Sequence, residues 1–409
     1  MNCKVLSLFS GCGGMDIGFE GDFLCLKKSI NTSIHPDWVK EDCGEWVLLS
    51  STGFQTVFAN DIRVDAKTAW TKYFSKKKTN ANSIYHLGSI VDLVKASKHG
   101  EDIFPKDIDI VTGGFPCQDF SIAGKRQGFA SQKSHTGGKL DIGAPSIESR
   151  GQLYMWMRDV ISITKPKLFI AENVKGLADL ADVKEIIERD FANTCNSGYV
   201  VIPAQVLYAA DYGVPQSRSR VIFFGFKKSA LRKQALEALT SEMIPVKYNP
   251  YPVKTHGIDN MPYVTCNDAF INLDEPDITL DLSQKIYSKA KFMGSHCQGQ
   301  TEVKLDSIGP TIRAEHHGNI EYRRLSAEHG GKHTDELAKG LIERRLTVRE
   351  CARIQTFPDD YEFIIPKSES QPSLSSSDAY KIIGNAVPCV LAYNIAKNIA
   401  DKWNLYFKK

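Results

Sequence analysis

The sequence lacks the features that mark several large classes of protein. No apolar run approaches the roughly 20 residues that a membrane-spanning helix requires, so we do not expect a membrane protein. The first nine residues are too short and too lightly charged for a signal peptide. No Cys-x-x-Cys occurs among the ten cysteines, which disfavours zinc ribbons and thioredoxin-like dithiols. We therefore expect a cytoplasmic protein whose thiols stay reduced.

The composition is that of an ordinary folded protein. The 409 residues suggest two or three domains, at roughly 150 residues per domain. Apolar residues make up 42% and charged residues 24%, which excludes disorder along the whole chain. The net charge of +3, from 51 basic and 48 acidic side chains, permits a polyanionic partner without arguing for one.

Strands and helical patterns alternate through the first half of the chain. Residues 4–9 form an apolar run that leads into a glycine-rich turn and the start of a helix, as in a doubly wound α/β unit. Further strands are predicted at residues 56–59, 108–111, 167–171 and 221–225. Helical patterns are found at residues 65–74, 152–163 and 183–191. This alternation predicts an α/β fold with a mostly parallel sheet.

The character of the sequence changes after about residue 228. Residues 244–307 are rich in Pro, Asp, Asn and Tyr and show few long helical patterns, which indicates a smaller, irregular second domain. We place the boundaries at residues 1–235, 236–370 and 371–409. Residues 22–52 and 130–149 are interpreted as insertions or mobile loops.

A glycine-rich loop follows the first predicted strand. Gly11, Gly13 and Gly14 let main-chain amides approach a ligand closely, and the start of the next helix favours an anionic group. The same glycines also suit a tight turn without a ligand. Asp61, after the second predicted strand, is placed either to bind a ribose hydroxyl or to cap the helix that begins near Val64.

Two reactive side chains follow later strands. Cys117 comes after two glycines and a proline at a strand end, where open α/β sheets bind their ligands. Its thiol can serve as a nucleophile there, or it can pack within a turn. Glu172 stands directly at the end of a buried strand, where a carboxylate without a partner is costly. It is therefore either paired structurally or used as an acid.

Two arginines open the fifth predicted strand. Arg218 and Arg220 are two residues apart, so they point to the same side of an extended chain. Such a pair suits an anion, a carbonyl oxygen or a phosphate. The alternative is a pair of solvent-facing charges.

Apart from Asp61, these residues lie in the first four of six sequence blocks that follow one another along nearly the whole chain. The blocks are Leu8-Phe9-Ser10-Gly11-Cys12-Gly13-Gly14, Gly114-Phe115-Pro116-Cys117-Gln118, Glu172-Asn173-Val174, Gln216-Ser217-Arg218-Ser219-Arg220, Arg349-Glu350-Cys351-Ala352-Arg353 and Gly384-Asn385-Ala386-Val387-Pro388. In this order they resemble the cytosine-C5 DNA methyltransferases of the bacterial and phage restriction-modification type, which use S-adenosylmethionine. Within the fifth block, Glu350 and Arg353 lie at i, i+3 on a helical pattern and are expected to pair.

The resemblance implies both a fold and a reaction. The fold is the doubly wound sheet of S-adenosylmethionine-dependent methyltransferases, formed by residues 1–235 and completed by residues 371–409, with residues 236–370 as a target-recognition domain. In the implied reaction a cytosine is flipped out of duplex DNA and Cys117 adds to its carbon 6, so that carbon 5 can accept a methyl group. Glu172 would protonate or hydrogen-bond N3 and Arg220 would hold the O2 carbonyl, with Arg218 supporting the site or a phosphate.

The resemblance also implies which residues hold S-adenosylmethionine. Phe9 would stack on the adenine and Asp61 would bind the ribose, although the family usually has Glu at the latter position. Ser89 stands where an Asp often contacts the adenine amine. The full set of expected cofactor residues is Phe9, Ser10, Gly11, Gly13, Gly14, Asp61, Ser89, Asn385 and Val387.

Double-stranded DNA is the implied partner. The segment 311–324 mixes polar side chains suited to base edges with basic groups suited to phosphates, although a surface hairpin with solvated charges would look alike. No metal is expected, since adjacent His316 and His317 on a strand would point to opposite faces. The expected DNA-binding residues are Ser121, Gln127, Thr311, Arg313 and Arg323.

Three other functions compete with this hypothesis. An RNA cytosine-C5 methyltransferase could use the same scaffold, but the sizeable region at residues 228–346 favours duplex DNA. A non-catalytic DNA-binding module would not need Cys117, Glu172 and Arg220 together. A nicotinamide-dependent oxidoreductase rests on the glycine turn alone. We expect a monomer that protects DNA from a cognate restriction endonuclease acting on the same sequence.

Overall fold

The computed structural model describes residues 2–116, 153–180, 182–315, 317–368 and 372–408. We number the strands along the chain as β1 Cys3–Leu8, β2 Leu24–Leu26, β3 Val39–Cys43, β4 Trp46–Leu49, β5 Phe54–Asp61, β6 Tyr85–Leu87, β7 Ile110–Gly114, β8 Leu168–Val174, β9 Tyr199–Tyr208, β10 Ser219–Lys227, β11 Tyr322–Arg324 and β12 Arg344–Arg345.

The α-helices are numbered in the same way. They are α1 Gly14–Glu20, α2 Val64–Phe74, α3 Ala81–Ile84, α4 Ile90–Lys98, α5 Leu153–Thr164, α6 Lys175–Ala178, α7 Val183–Ala192, α8 Thr194–Ser197, α9 Lys233–Leu239, α10 Cys266–Ala269, α11 Leu282–Lys285, α12 Thr334–Ala338, α13 Val348–Ile354, α14 Ser376–Asn385 and α15 Cys389–Tyr406. None of the helices in the described part of the chain combines the length and the apolar character needed to span a bilayer.

A seven-stranded sheet forms the centre of the molecule, with the strand order β6-β5-β1-β7-β8-β10-β9. Strands β6, β5, β1, β7 and β8 are parallel, whereas β10 runs antiparallel to both β8 and β9. The predicted α/β fold with a mostly parallel sheet is therefore confirmed. The five predicted strands correspond to β1, β5, β7, β8 and β10, and the short edge strand β6 and the long strand β9 were not predicted.

Helices cover both faces of this sheet, so successive strand residues enter two separate cores. On one face, Val5 belongs to a core shared with α1, α2 and α15. On the other face, Leu6 and Leu8 belong to a core shared with α4, α5 and α7. Strands that are buried on both faces consist of nearly unbroken apolar residues. This explains why these strands could be found in the sequence.

Residues 22–52 form an ordered part of the fold, so the mobile-loop alternative is wrong, whereas their interpretation as an insertion stays a prediction. They contain a three-stranded antiparallel sheet in the order β2-β4-β3. Trp38 and Val47 are buried, and the Tyr393 ring of α15 meets the Trp38 ring edge-on at 5.3 Å between centroids. The polar residues of this segment hid an alternating apolar face that packs on the last helix. Residues 130–149 lie outside the described residues.

The region between β10 and α14 contains only short elements and is held together by buried arginines. Arg344 forms a two-bond pair with Glu350 at 2.9 Å for each bond and also contacts Glu275 at 3.0 Å. Arg353 pairs with Asp359 at 2.6 Å, so the expected pairing of Glu350 with Arg353 is wrong. Glu350 instead caps its own helix and receives its arginine from the preceding strand β12.

Candidate active site

The carboxyl ends of the parallel strands gather the residues that the sequence singled out. Phe9 and Ser10 follow β1, and Asp61 ends β5. Glu172 of β8 forms the last residue pair between β8 and β7. In open parallel sheets this edge is where ligands bind. Phe9, Ser10, Asp61 and Glu172 therefore share one edge of the sheet.

Glu172 and Arg220 form a buried ion pair on two neighbouring strands. The Arg220 Nε lies 2.7 Å from the Glu172 Oε1, and the two side chains are only 12% and 10% exposed. Burial raises the pKa of the Glu172 carboxyl above its usual range, while the charges of Arg220 and Arg218 oppose that rise. A carboxyl group in this setting can hold a proton and donate it, which is what an acid facing a ring nitrogen must do.

The glycine that ends β7 brings Glu172 close to the Pro-Cys turn. Gly114 is paired with Glu172 across the sheet, and a Cβ on Gly114 would lie 2.8 Å from the Glu172 Oε2. The neighbouring Asn173 donates its side-chain amide to the Phe115 carbonyl at 3.1 Å and so fixes the chain just before Pro116. Cys117, the predicted nucleophile, lies outside the described residues.

Asp61 links β5 to the glycine loop. Its Oδ2 accepts a hydrogen bond from the Gly11 amide at 2.9 Å, and its Oδ1 accepts one from the Arg63 amide at 3.0 Å. Arg63 is the residue that directly precedes α2, and its side chain makes no capping bond. Asp61 lies two residues earlier, so its carboxylate closes the glycine loop and does not cap the helix. Ser10 donates its hydroxyl to the Ser7 carbonyl at 3.0 Å, which holds the start of the loop.

The second half of the glycine loop packs against the C-terminal part of the chain. A Cβ on Gly14 would lie 2.3 Å from the Val387 carbonyl oxygen, and one on Gly13 would lie 2.6 Å from the Trp70 ring. Val387 is buried beside the loop, and Asn385 is exposed at the end of α14. The structure therefore brings the two ends of the chain together, as the sequence blocks implied.

The space beside this loop fits the chemistry of S-adenosylmethionine. A Cβ on Gly11, which has a φ of +54°, would meet no atom within 4 Å, so this glycine borders open space next to Asp61. Phe9 is half-buried there, and Ile62 is 46% exposed despite its apolar side chain. A carboxylate for a ribose beside apolar side chains for an adenine is the donor set that such a nucleoside requires. Ser89 lies nearby at the start of α4, where its hydroxyl caps the helix.

Arg218 has partners that the sequence did not suggest. It is only 2% exposed, and its guanidinium donates to the carbonyl oxygens of Ile312 at 3.0 Å, Gly384 at 2.9 Å and Ala386 at 2.9 Å. These carbonyls come from two distant segments of the chain. Its expected role at the substrate stays a prediction, whereas its role in joining these segments is visible.

The candidate DNA-binding arginines make intramolecular contacts. Arg313 bonds to the Gln298 side chain at 2.5 Å and to Glu321 at 3.2 Å, and Arg323 pairs with Glu336 at 3.1 Å. The Thr311 hydroxyl donates to the Ser217 carbonyl, which ties residue 311 to the loop before β10. Ser121 and Gln127, the two other expected DNA-binding residues, lie outside the described residues.

Three residues with clear roles in this arrangement were not assigned one from the sequence. Asn173 holds the main chain before Pro116, and the buried Gln216 and Gln355 bond to each other at 2.9 Å beside Arg218. Asn173 and Gln216 stood within the recognised blocks. Gln355 carried no signal, because only its burial among main-chain carbonyls distinguishes it from a surface glutamine.

Comparison with known proteins places this chain among DNA methylases. The family model for C-5 cytosine-specific DNA methylase matches residues 44–401. The Type II methyltransferase M.BsuRI of Bacillus subtilis is 32% identical, over 97% of this chain and 79% of its own length. The Type II methyltransferase M.NgoPII of Neisseria gonorrhoeae is 29% identical, over 97% of this chain and 95% of its own length.

A solved structure has the same fold. The Dnmt2 methyltransferase of S. pombe aligns with a TM-score of 0.56 and 18% sequence identity, covering 98% of each chain. At this identity the likeness speaks for the fold alone, which agrees with the sheet described above. The family match over most of the chain decides the rest: this chain belongs to the C-5 cytosine-specific DNA methylase family.

Proposed function

We propose that this protein methylates carbon 5 of a cytosine within a short, specific sequence of duplex DNA, with S-adenosylmethionine as the methyl donor. Its Type II relatives favour a role in restriction-modification, in which methylation protects DNA from a cognate restriction endonuclease. The family and its enzymatic nature are established by the match over residues 44–401. The substrate, the residue roles and the biological setting are the proposal.

One observation carries the assignment of the catalytic residues. The Glu172–Arg220 pair is buried at the carboxyl end of β8, directly beside Gly114 and therefore beside the turn that leads to Cys117. An acid and a cation held side by side match the two polar edges of a cytosine, N3 and O2. A pair that served stability alone would have no reason to lie at this edge of the sheet.

The chain's own residues account for the activation of the base. The Cys117 thiolate adds to carbon 6 of the flipped cytosine and forms a carbon–sulfur bond. Glu172 donates its proton to N3, so that no negative charge accumulates on the ring, and Arg220 donates hydrogen bonds to O2. The resulting enamine makes carbon 5 nucleophilic. Once carbon 5 has accepted a methyl group, a base removes its remaining proton, and the electrons of that carbon–hydrogen bond form the double bond between carbons 5 and 6. The carbon–sulfur bond breaks to release the Cys117 thiolate, and N3 returns its proton to Glu172.

The residues that would hold S-adenosylmethionine surround the open space beside Gly11. Asp61 would accept from the ribose, Phe9 and Ile62 would contact the adenine, and the loop with Gly13 and Gly14 would face the methionine part. Ser10, Ser89, Asn385 and Val387 complete the proposed set. When bound, S-adenosylmethionine supplies the electrophilic methyl group that carbon 5 accepts.

The division of labour between domains is also part of the proposal. Residues 1–235 and 371–409 bind the cofactor and the target base, which the packing of α1 against α15 and the bridge between Leu231 and Phe407 support. Residues 236–370 read the DNA sequence. Ser121 and Gln127, which follow Cys117 in the chain, are proposed to contact DNA as well. Thr311, Arg313 and Arg323 are the proposed contacts of the recognition domain. We expect the protein to act as a monomer in the cytoplasm.

The decisive experiment is to locate methylation in DNA from cells that express the protein. Bisulfite sequencing should show a single short sequence with fully methylated cytosine. Glu172→Gln should lower the rate of methylation at that sequence by at least about a hundredfold. A wild-type protein that leaves genomic DNA unmethylated while methylating transfer RNA would instead establish the RNA alternative.

Covalent trapping then tests the nucleophile. A duplex with 5-fluorocytosine at the target position should form a denaturant-stable complex with the wild-type protein, because the fluorine cannot be removed as a proton. Cys117→Ala should abolish the complex. Cys43→Ser is the matched control, since Cys43 is an exposed free thiol far along the chain from the Pro-Cys turn, and it should trap as the wild type does.

A further inference from the structure

A buried polar hub joins the catalytic sheet to two distant parts of the chain. Arg218 contributes the largest share, with its guanidinium bonded to the carbonyls of Ile312, Gly384 and Ala386 at 2.9–3.0 Å. A guanidinium has five donors in a fixed plane, so it can hold two chain segments in one geometry. We call residues 311–314 the recognition segment and residues 384–387 the C-terminal turn.

Two glutamines complete the hub. The Gln216 Oε1 accepts from the Ile312 amide at 3.0 Å, and its amide donates to the Gln355 Oε1 at 2.9 Å. Gln355 in turn donates to the carbonyls of Ile383 at 2.6 Å and Ala386 at 3.2 Å. Both glutamines are fully buried, so the loss of one hydrogen bond would leave a polar group with neither a protein partner nor access to water. The hub therefore favours one relative position of the two segments.

The C-terminal turn is in direct main-chain contact on both of its sides. On one side, a Cβ on Gly14 would lie 2.3 Å from the Val387 carbonyl oxygen, which places the turn against the glycine loop. On the other side, a Cβ on Gly384 would lie 2.1 Å from the Arg313 carbonyl, which places the turn against the recognition segment. A displacement of the turn at the glycine loop would therefore displace the main chain at residue 313 as well.

We propose that Arg218 is a positioning residue that couples binding of the cofactor to binding of DNA. It fixes the recognition segment on the same turn that closes the cofactor site, so a ligand that orders the turn also orders the DNA-reading surface. This inference rests on the proposed function, since it needs both ligands. The Arg218 side chain is only 2% exposed, so its effect on both segments would run through these carbonyls.

The coupling can be measured without turnover. The affinity for a fluorescein-labelled duplex carrying the methylated sequence is determined by anisotropy, with and without S-adenosylhomocysteine. In the wild type the product should tighten DNA binding at least about fivefold, the lower end of typical coupling between sites. In Arg218→Lys the ratio should fall below about twofold, because an ammonium cannot span the three carbonyls. A wild-type ratio near one, or an undiminished ratio in the variant, would overturn the inference.

Arg345→Lys provides the matched control. Arg345 is equally buried, but its carbonyl partners, including Ala290 at 2.9 Å and Gly299 at 2.5 Å, lie within residues 236–370 alone. Its substitution should weaken DNA binding by the same factor with and without S-adenosylhomocysteine. If Arg218→Lys fails to fold, as judged by circular dichroism, Gln355→Leu removes the bonds to Ile383 and Ala386 and should lower the ratio in the same way.

The pH dependence of turnover separates positioning from electrostatics. The charge of Arg218 also acts on Glu172, and lysine keeps that charge. A pH–rate profile that moves in Arg218→Lys would show that Arg218 works through Glu172, against the inference. Methylation by the wild type with an unaltered coupling ratio in the variant defeats this inference alone. Absence of any methylation by the wild type defeats the proposed function, whatever the ratio.

Discussion

Asp16 allows a sharp test of how burial changes the pKa of a carboxyl group beside the glycine loop. It lies in the first turn of α1, is 1% exposed, and accepts a hydrogen bond from the Trp70 indole at 2.7 Å. Burial raises the pKa of Asp16 to about 6, from an ordinary 3.8, and the bonds from Ser7 and Trp70 only partly oppose this. The folded protein therefore binds this proton more tightly than the unfolded chain does.

The sign of the effect on stability follows from this difference. The contribution of Asp16 is fully present below its unfolded pKa and is lost as the pH rises through about 6. The two pKa values differ by about two units, so the whole change amounts to about 3 kcal/mol. Between pH 5 and pH 7.5 the part still to be lost is between about 1 and 2 kcal/mol.

Asp16→Asn isolates this contribution, because asparagine does not titrate but still accepts from Trp70. Urea unfolding of both proteins is measured from pH 5 to pH 7.5, and the wild type should lose stability relative to the variant by the stated amount. The NMR chemical shift of the Trp70 indole N–H, which donates to Asp16, should change with pH around 6 in the wild type alone. Asp102→Asn, at an exposed position, is the control. A difference between wild type and variant that does not change with pH would refute the reasoning.

Two further substitutions test close packing and buried charge. Gly14→Ala should raise the dissociation constant of S-adenosylhomocysteine at least about fivefold, because the new Cβ meets the Val387 carbonyl and overpacking costs about 1–3 kcal/mol; unchanged affinity by calorimetry would contradict the placement of the C-terminal turn. Arg344→Met should lower the free energy of unfolding by about 3–5 kcal/mol, since it leaves Glu350 buried without its cation. The double variant Arg344→Met/Glu350→Gln should recover much of that loss, and no recovery would argue against the pair.

The buried position of Glu172 bears on how the enzyme would discriminate its substrate. Burial raises the pKa of Glu172 beside Arg220, and in the proposed mechanism, where Glu172 carries a proton, the pair would present one donor and one cation to a pyrimidine edge. Cytosine offers acceptors at both N3 and O2, whereas thymine carries a proton at N3 and would confront the donor. In the proposed function, the pair that activates the base would therefore also select it.

Several features could be predicted from the sequence because their cause is local. The strands of the sheet are buried on both faces, so their apolar runs are nearly unbroken and visible in isolation. The glycine loop and the residues at the strand ends were found because open parallel sheets place ligands at one edge. The short strand β6 was missed, since three residues give no periodicity to detect.

Other features depend on partners that are far away along the chain. Arg218 was expected to share the side of Arg220, but it precedes β10 and is covered by Ile312 and Gly384, which are 94 and 166 residues away. Glu350 pairs with Arg344 of β12 and not with Arg353 one turn along its own helix. Residues 22–52 are ordered because α15, at the other end of the chain, covers them.

Short patterns of residue type were thus enough to predict the family and the central sheet, both of which are confirmed, and to propose the reacting groups. Which charges are buried together and which segments pack against each other could be read only from the folded chain. The physical reason is that the energy of a buried polar group depends on the donors and acceptors that surround it. Those groups come from segments that folding brings together and not from its sequence neighbours.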